Sequence, residues 1–119
     1  MGDFLCHWEI PSENPSELRK FYEQMFGWQF MSDPNAGDDY LMFNEGDKGV
    51  GGGITKVTPE NRVMNYLWVE DIEAYEKKIV EHGGEIVKSK TAIPSYGFYC
   101  EFKDPHGNLL GLFEPLNKS

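Results

Sequence analysis

His7 and Glu9 stand two residues apart in a run, Leu5 to Ile10, whose alternation sends Phe4, Cys6, Trp8 and Ile10 to one face and Leu5, His7 and Glu9 to the other. An imidazole and a carboxylate on one strand face are the parts needed for acid and base work in proton transfer near a carbonyl. A second candidate carboxylate lies in residues 98–103. There the apolar set Phe98, Cys100 and Phe102 belongs on a dry face, which leaves Tyr99, Glu101 and Lys103 for the opposite one. Aromatic walls with a few carboxylates and one imidazole suit a small-molecule pocket. The bland alternatives are a histidine satisfied by Glu9 or a backbone group, and glutamates that simply meet solvent.

Other residue types offer less. Cys6 and Cys100 lie far apart within strand-like runs, the pattern of buried reduced thiols and not of a disulfide framework. His82 and His106 fall at a helix end and in a turn, where exposure is expected. Gly51-Gly52-Gly53 matches neither GxGxxG nor GxxxxGK[ST], so it reads as close backbone approach or a strand irregularity; Gly52 is carried forward as a ligand-side candidate. No Ser-His-Asp or Cys-His arrangement can be assigned.

These side chains need a frame to hold them. A chain of 119 residues fits one domain able to bury roughly two-thirds of its unfolded surface. Hydrophobic residues at 39% and aromatics at 14% exclude a disordered chain, and no apolar run approaches the ~20 residues of a membrane helix. The first residues show no basic stretch followed by a long apolar one, so a cytoplasmic location is expected. A formal net charge of -9 with eleven scattered basic residues argues against nucleic acid. The acidity is that of a solvated exterior.

The element order is legible from caps and periodicity. Asn14 as N-cap, Pro15 at the first helical position and Glu17 closing a capping box start a helix, whose buried stripe is expected to be Leu18, Phe21, Tyr22 and Met25. Gly27 stops it. Strands are expected over 28–31, 40–43 and 50–57, giving βαβββ. The second half repeats the order: a strand over 63–69, a helix capped by Asp71 with Ile72, Tyr75 and Ile79 inward, a stop at Gly83-Gly84, then strands over 86–88, 98–102 and 109–113. Gly27 and Gly83 lie about 56 residues apart, as do Glu17 and Glu73, the mark of a diverged duplication. Two modules are expected within a single domain of residues 1–119, at about 3–58 and 62–116, their helix-free faces curling around a cleft.

The chain resembles the vicinal oxygen chelate superfamily, which joins glyoxalases, bleomycin resistance proteins and ring-cleaving dioxygenases. The features that carry the likeness are His7, Phe21-Tyr22, Phe26-Gly27-Trp28, Val69-Glu70-Asp71-Ile72, His82-Gly83-Gly84 and Asp104-Pro105-His106-Gly107-Asn108. With Gly51-Gly52-Gly53 and Gly111-Leu112-Phe113, the likeness is greatest to a glyoxalase-like group. It implies an α+β fold of two βαβββ modules forming a U-shaped eight-stranded mixed sheet around a cleft, and frequent homodimers. It also implies a divalent metal held by four residues, on the first and last strands of each module. Of these only His7 stands at its place. Residues 49–59 contain no Asp, Glu, His or Cys, and the third and fourth places fall on Met64 and Gly111. One imidazole cannot supply the three or four donors a divalent ion needs, so no metal or other cofactor is expected. The family frame also turns Met64, Tyr66 and Trp68 the same way, as ligand-side residues together with Tyr99; the bland reading is that they fill a core.

Three readings remain open. One is a protein that captures a planar or apolar small molecule without changing it, as drug-sequestering members do. Another is a metal-free lyase or isomerase, lactoylglutathione-lyase-like, with His7 and Glu9, or Glu101, as acid and base. The third is a metal lyase or dioxygenase using His7 with Glu9 or Glu101 in an altered arrangement.

Overall fold

The computed structural model describes residues 3–117. Its element order is β1 (Phe4–Pro11), α1 (Pro15–Phe26), β2 (Gln29–Asp33), β3 (Gly37–Asn44), β4 (Gly52–Thr55), β5 (Met64–Trp68), α2 (Ile72–Glu81), β6 (Glu85–Ile93), β7 (Gly97–Lys103) and β8 (Leu109–Pro115). This is βαβββ twice, an α+β fold with one eight-stranded mixed sheet in the order β2-β3-β4-β1-β5-β8-β7-β6. β1 pairs parallel with β4 and β5 parallel with β8, while the β2/β3, β3/β4, β6/β7 and β7/β8 pairs are antiparallel. Neither described helix is long and apolar enough to cross a membrane.

The chain divides into two compact units, His7–Met64 and residues 3–6 with 65–117. The boundary therefore cuts β1, whose first residues join the second unit: Asp3 N–H donates to the Trp68 carbonyl at 2.7 Å and Phe4 stacks on Trp68 at 5.6 Å. The first βαβββ module still opens with β1 at Phe4, while the first residues of that strand lie in the second compact unit.

In the first unit the Asn14 side chain accepts from Glu17 N–H at 3.2 Å and Gly27 closes the helix in the left-handed region at φ 70°. The other half of the expected capping box differs. Asn14 N–H donates to Ser12 Oγ at 3.0 Å, so Glu17 is not needed there. The stripe is also narrower than expected. Leu18 and Tyr22 pack on the core of Ile10, Phe43 and Ile54 with Trp8, Trp28 and Phe30, whereas Phe21 and Met25 stay more than half exposed. Tyr22 and Trp28 stack at 5.0 Å, and these large rings cover the sheet without help from a third helix position.

In the second unit Asp71 caps α2 by accepting from Ala74 N–H, and Tyr75 and Ile79 join the cluster of Val69, Ile72, Cys100 and Leu112. Glu114 ties the layers together: this buried carboxylate accepts from Ile72 N–H at 2.9 Å and pairs with Lys90 at 3.5 Å. β6 runs five residues past the expected Lys88, because the Glu76 carboxylate takes the Lys90 N–H at 2.8 Å and lets the strand resume after its irregularity. Both cysteines are free thiols, and burial pushes Cys6 to about 11 and Cys100 to about 12, the chemistry of inert packing groups.

Candidate functional site

With Trp8 and Ile10 turned to α1, strand alternation sends His7 and Glu9 to the opposite face of the first unit's sheet. Glu9 pairs with Gly53, and Gly53 with Met42 on β3. Tyr40 starts one step further along, opposite Thr55, yet its hydroxyl reaches back to the first strand. Its ring must lie across Gly53, and it does: a Cβ added there would sit 2.6 Å from Tyr40 Oη. Glycine opens the lane that Tyr40 fills. Gly52 is corrected from the ligand side to the core side, since it pairs with Trp8 and a Cβ there would lie 2.8 Å from Phe43 Cζ. Of the two neighbours Gly53 alone shares a face with His7, because adjacent strand residues point oppositely.

The result is a hydrogen-bonded relay within one unit. Tyr40 Oη lies 2.6 Å from His7 Nε2 and donates to Glu9 Oε2 at 2.8 Å. His7 Nε2 and Glu9 Oε2 are 3.9 Å apart, too far for a direct bond, so the phenol is the bridge. The imidazole and phenol planes are inclined by only 8°. A third of the His7 side chain stays accessible and 17% of the Glu9 side chain. Burial nonetheless pushes the His7 pKa down from 6.5 to about 4, which keeps the ring neutral at pH 7.

Of the other candidates, Tyr66, Trp68, Tyr99 and Glu101 lie in the second unit and Met64 is the last residue of the first. Tyr66 pairs with Gly111, which pairs with Glu101, while Tyr99 and Trp68 both pair with Phe113. Tyr66 is nearly buried and its own ring occupies the space over Gly111. Tyr66 and Tyr99 meet edge to face at 6.4 Å, and the Lys88 ammonium stands 5.4 Å from the Tyr99 ring centre. Glu101 is 8% exposed, which corrects the reading of a solvated carboxylate. Burial raises its pKa, and the nearby Lys88 ammonium works against that rise. A hydrogen bond to Tyr99, then its charge, favours the charged form of Lys88. Met64 is fully buried, as the core reading has it, and Trp68 is half-buried against Phe4. His82 and His106 are exposed.

The strand registers match His7 with Met64, Glu9 with Tyr66, Tyr40 with Tyr99, Met42 with Glu101 and Gly53 with Gly111 as equivalent positions of the duplication. The metal places of the two modules thus hold His7 and Gly53, then Met64 and Gly111. Two glycines offer no side-chain donor and a thioether is a poor ligand for a hard divalent ion, so this set does not fit one. Among the described residues no three His, Cys, Asp or Glu side chains group closely enough to hold a metal.

Sequence reasoning missed Tyr40 and Gly53. The signal was present: Leu41 and Phe43 claim the dry face, which turns Tyr40 and Met42 to the face of His7.

Known proteins share this frame. A model of the glyoxalase-like domain matches residues 8–113. "Putative glyoxylase CFP32" of Mycobacterium tuberculosis is 29% identical over 110 residues, which are 90% of this chain but 42% of that protein, so the chain spans about two-fifths of its length. Among solved structures, hypothetical protein BH1468 from Bacillus halodurans superposes with a TM-score of 0.72 at 11% identity, over 98% of this chain and 97% of that one. Methylmalonyl-CoA epimerase from Mycobacterium tuberculosis gives 0.65 at 11% identity, over 98% and 88%. At such identities the structures speak for the fold alone. The duplicated βαβββ frame and a domain match over nearly the whole chain together establish that it belongs to the glyoxalase-like domain family.

Proposed function

We propose that this protein binds a small molecule on the face of the first unit that carries His7, Glu9 and Tyr40, and that it does so without the family metal. The observation that supports this most is the relay itself. A neutral imidazole, a phenol and a carboxylate are held in one geometry on the side of the sheet that α1 does not cover. The helix side supplies this unit's apolar cluster of Ile10, Phe43 and Ile54, and a polar network on the other face costs desolvation that this cluster does not require. Ligand screening tests the reading. A bound compound quenches or shifts Trp fluorescence, since Trp8 adjoins His7, and raises the melting temperature with dose, stabilising the fold by about 2.7 kcal/mol at a hundredfold excess over Kd. Flat responses across a broad metabolite panel would count against it.

A second reading is favoured by the same relay. A proton can pass along imidazole, phenol and carboxylate, so a lyase or isomerase that moves a proton beside a carbonyl finds its acid and base here. Among proteins of this fold, methylmalonyl-CoA epimerase is by name an isomerase. Once a substrate is found, His7→Ala should lower kcat by roughly a hundredfold or more; unchanged turnover removes this reading and leaves binding.

A further inference from the structure

We infer that Met31 and Met42 form the specificity wall of the site on the first unit and select a flat, unsaturated two-ring ligand, a step that rests on the binding reading above. Backbone pairing sets Glu9 opposite Gly53, Gly53 opposite Met42 and Met42 opposite Met31, so the four form one row across β1, β4, β3 and β2. Phe30 and Phe43, sequence neighbours of the two methionines, pack on the helix side. Strand alternation therefore turns both thioethers to the face of Glu9. With the Tyr40 ring lying across Gly53, the row reads carboxylate, phenol, thioether, thioether.

β2 is an edge strand, where a solvent-facing position ordinarily carries a polar or charged side chain. Gln29, Ser32 and Asp33 follow that rule. Met31 breaks it: the residue is 63% exposed and lies outside the apolar cluster under α1. Met42 beside it is half-buried. Methionine is flexible and polarisable, adapts to the shape laid on it and gains from a sulfur contact with an aromatic ring. Two strand spacings separate Gly53 from Met31, roughly 10 Å, the length of a fused two-ring system with one polar substituent. A ligand whose substituent meets the relay thus lays its rings over Met42 and Met31. A saturated, puckered skeleton keeps the apolar area and loses the contact between sulfur and ring. Met25 supplies the contrast, because it is 58% exposed but sits on α1, on the other side of the sheet from the relay.

Labelling the methionine methyl groups with ¹³C tests the wall, since the five methionines give separate signals that substitution by leucine assigns. The probes are naphthol and its saturated counterpart decalol. Naphthol should move the Met31 and Met42 methyl signals upfield, together with the His7 ring signals, and leave Met25 and Met64 in place. Decalol should bind at least roughly threefold more weakly. Met31→Leu and Met42→Leu should each weaken naphthol roughly twofold to tenfold and leave decalol unchanged, because leucine keeps the apolar area without the sulfur. The wild-type spectra decide even if Met42→Leu fails to fold. Equal binding of the two probes, or a Met25 shift as large as that of Met31, overturns the wall. So does a naphthol response at His7 with Met31 and Met42 unmoved, which leaves the binding reading standing. No response to naphthol also overturns the wall; if a screened compound then still moves His7 the binding reading stands, and if none does both fall.

Discussion

The two modules carry the same lane and fill it differently. In the first, Gly53 lets Tyr40 lean across to β1, where it finds His7 and Glu9. In the second, the counterpart of Glu9 is Tyr66, whose own ring covers Gly111, and the counterpart of His7 is the buried thioether of Met64. Tyr99, the counterpart of Tyr40, has no imidazole as its matched neighbour and turns instead to Lys88. A duplicated backbone therefore fixes where side chains point, while a few substitutions decide whether the face does chemistry or packs. The first half keeps a polar relay; the second has been converted mainly to filling.

The largest effect expected is from crowding the backbone. Gly52→Ala puts a Cβ onto the Trp8 carbonyl oxygen of the paired strand, which cannot swing aside, so it should cost about 3 kcal/mol or more in urea unfolding. Gly53→Ala meets the Tyr40 side chain first and should cost about 1–3 kcal/mol while displacing the relay. Equal costs for the two would contradict the assignment of opposite faces.

A truncation comparison comes next. Tyr40→Phe removes a bridge to a carboxylate and should cost about 1.5–3 kcal/mol, whereas Tyr99→Phe removes a contact to the mostly solvent-facing Lys88 and should cost under about 1 kcal/mol. The reverse order would make the second module the polar one.

The modules should also answer pH with opposite sign. The His7 pKa is lower in the folded protein than its ordinary 6.5, so between 6.5 and about 4 only the unfolded chain gains the proton and stability falls as pH drops, levelling below 4. The slope cannot exceed about 1.4 kcal/mol per pH unit and is smaller here, because a third of the side chain meets water. The Glu101 pKa is raised by burial, so its contribution is lost as pH rises from 4.5 through the raised value. His7→Gln should flatten the acid limb and Glu101→Gln the other; a variant that leaves its limb unchanged refutes that assignment.

Much of this was readable in the chain. The caps at Asn14 and Asp71, the stop at Gly27 and the alternation around Trp8 and Cys100 are local signals, and each specified its element and its faces. What escaped depended on distance across the sheet. Tyr40 and His7 are 33 residues apart, and only the register of β3 on β4 shows that one reaches the other over Gly53. Phe21 and Met25 were misjudged because helical periodicity gives a stripe but not how wide a surface the sheet offers it. The tail of β6 depended on one long-range bond from Glu76.

The smallest effect expected is from metal. With glycine and thioether at the other places, treatment with a chelator should leave melting temperature and ligand affinity unchanged, and protein incubated with Ni, Zn, Fe and Mn should return from desalting with metal content near zero. Stoichiometric retention that depends on His7 would restore the altered metal site as the leading account.

Amide shift mapping with a ligand found by screening bears most directly on the claim that function resides in the first module. Perturbations should centre on residues 7–9, 40–42 and 53 and need a higher ligand concentration in Tyr40→Phe. Perturbations centred on 64–66, 99–101 and 111, untouched by that substitution, would contradict it.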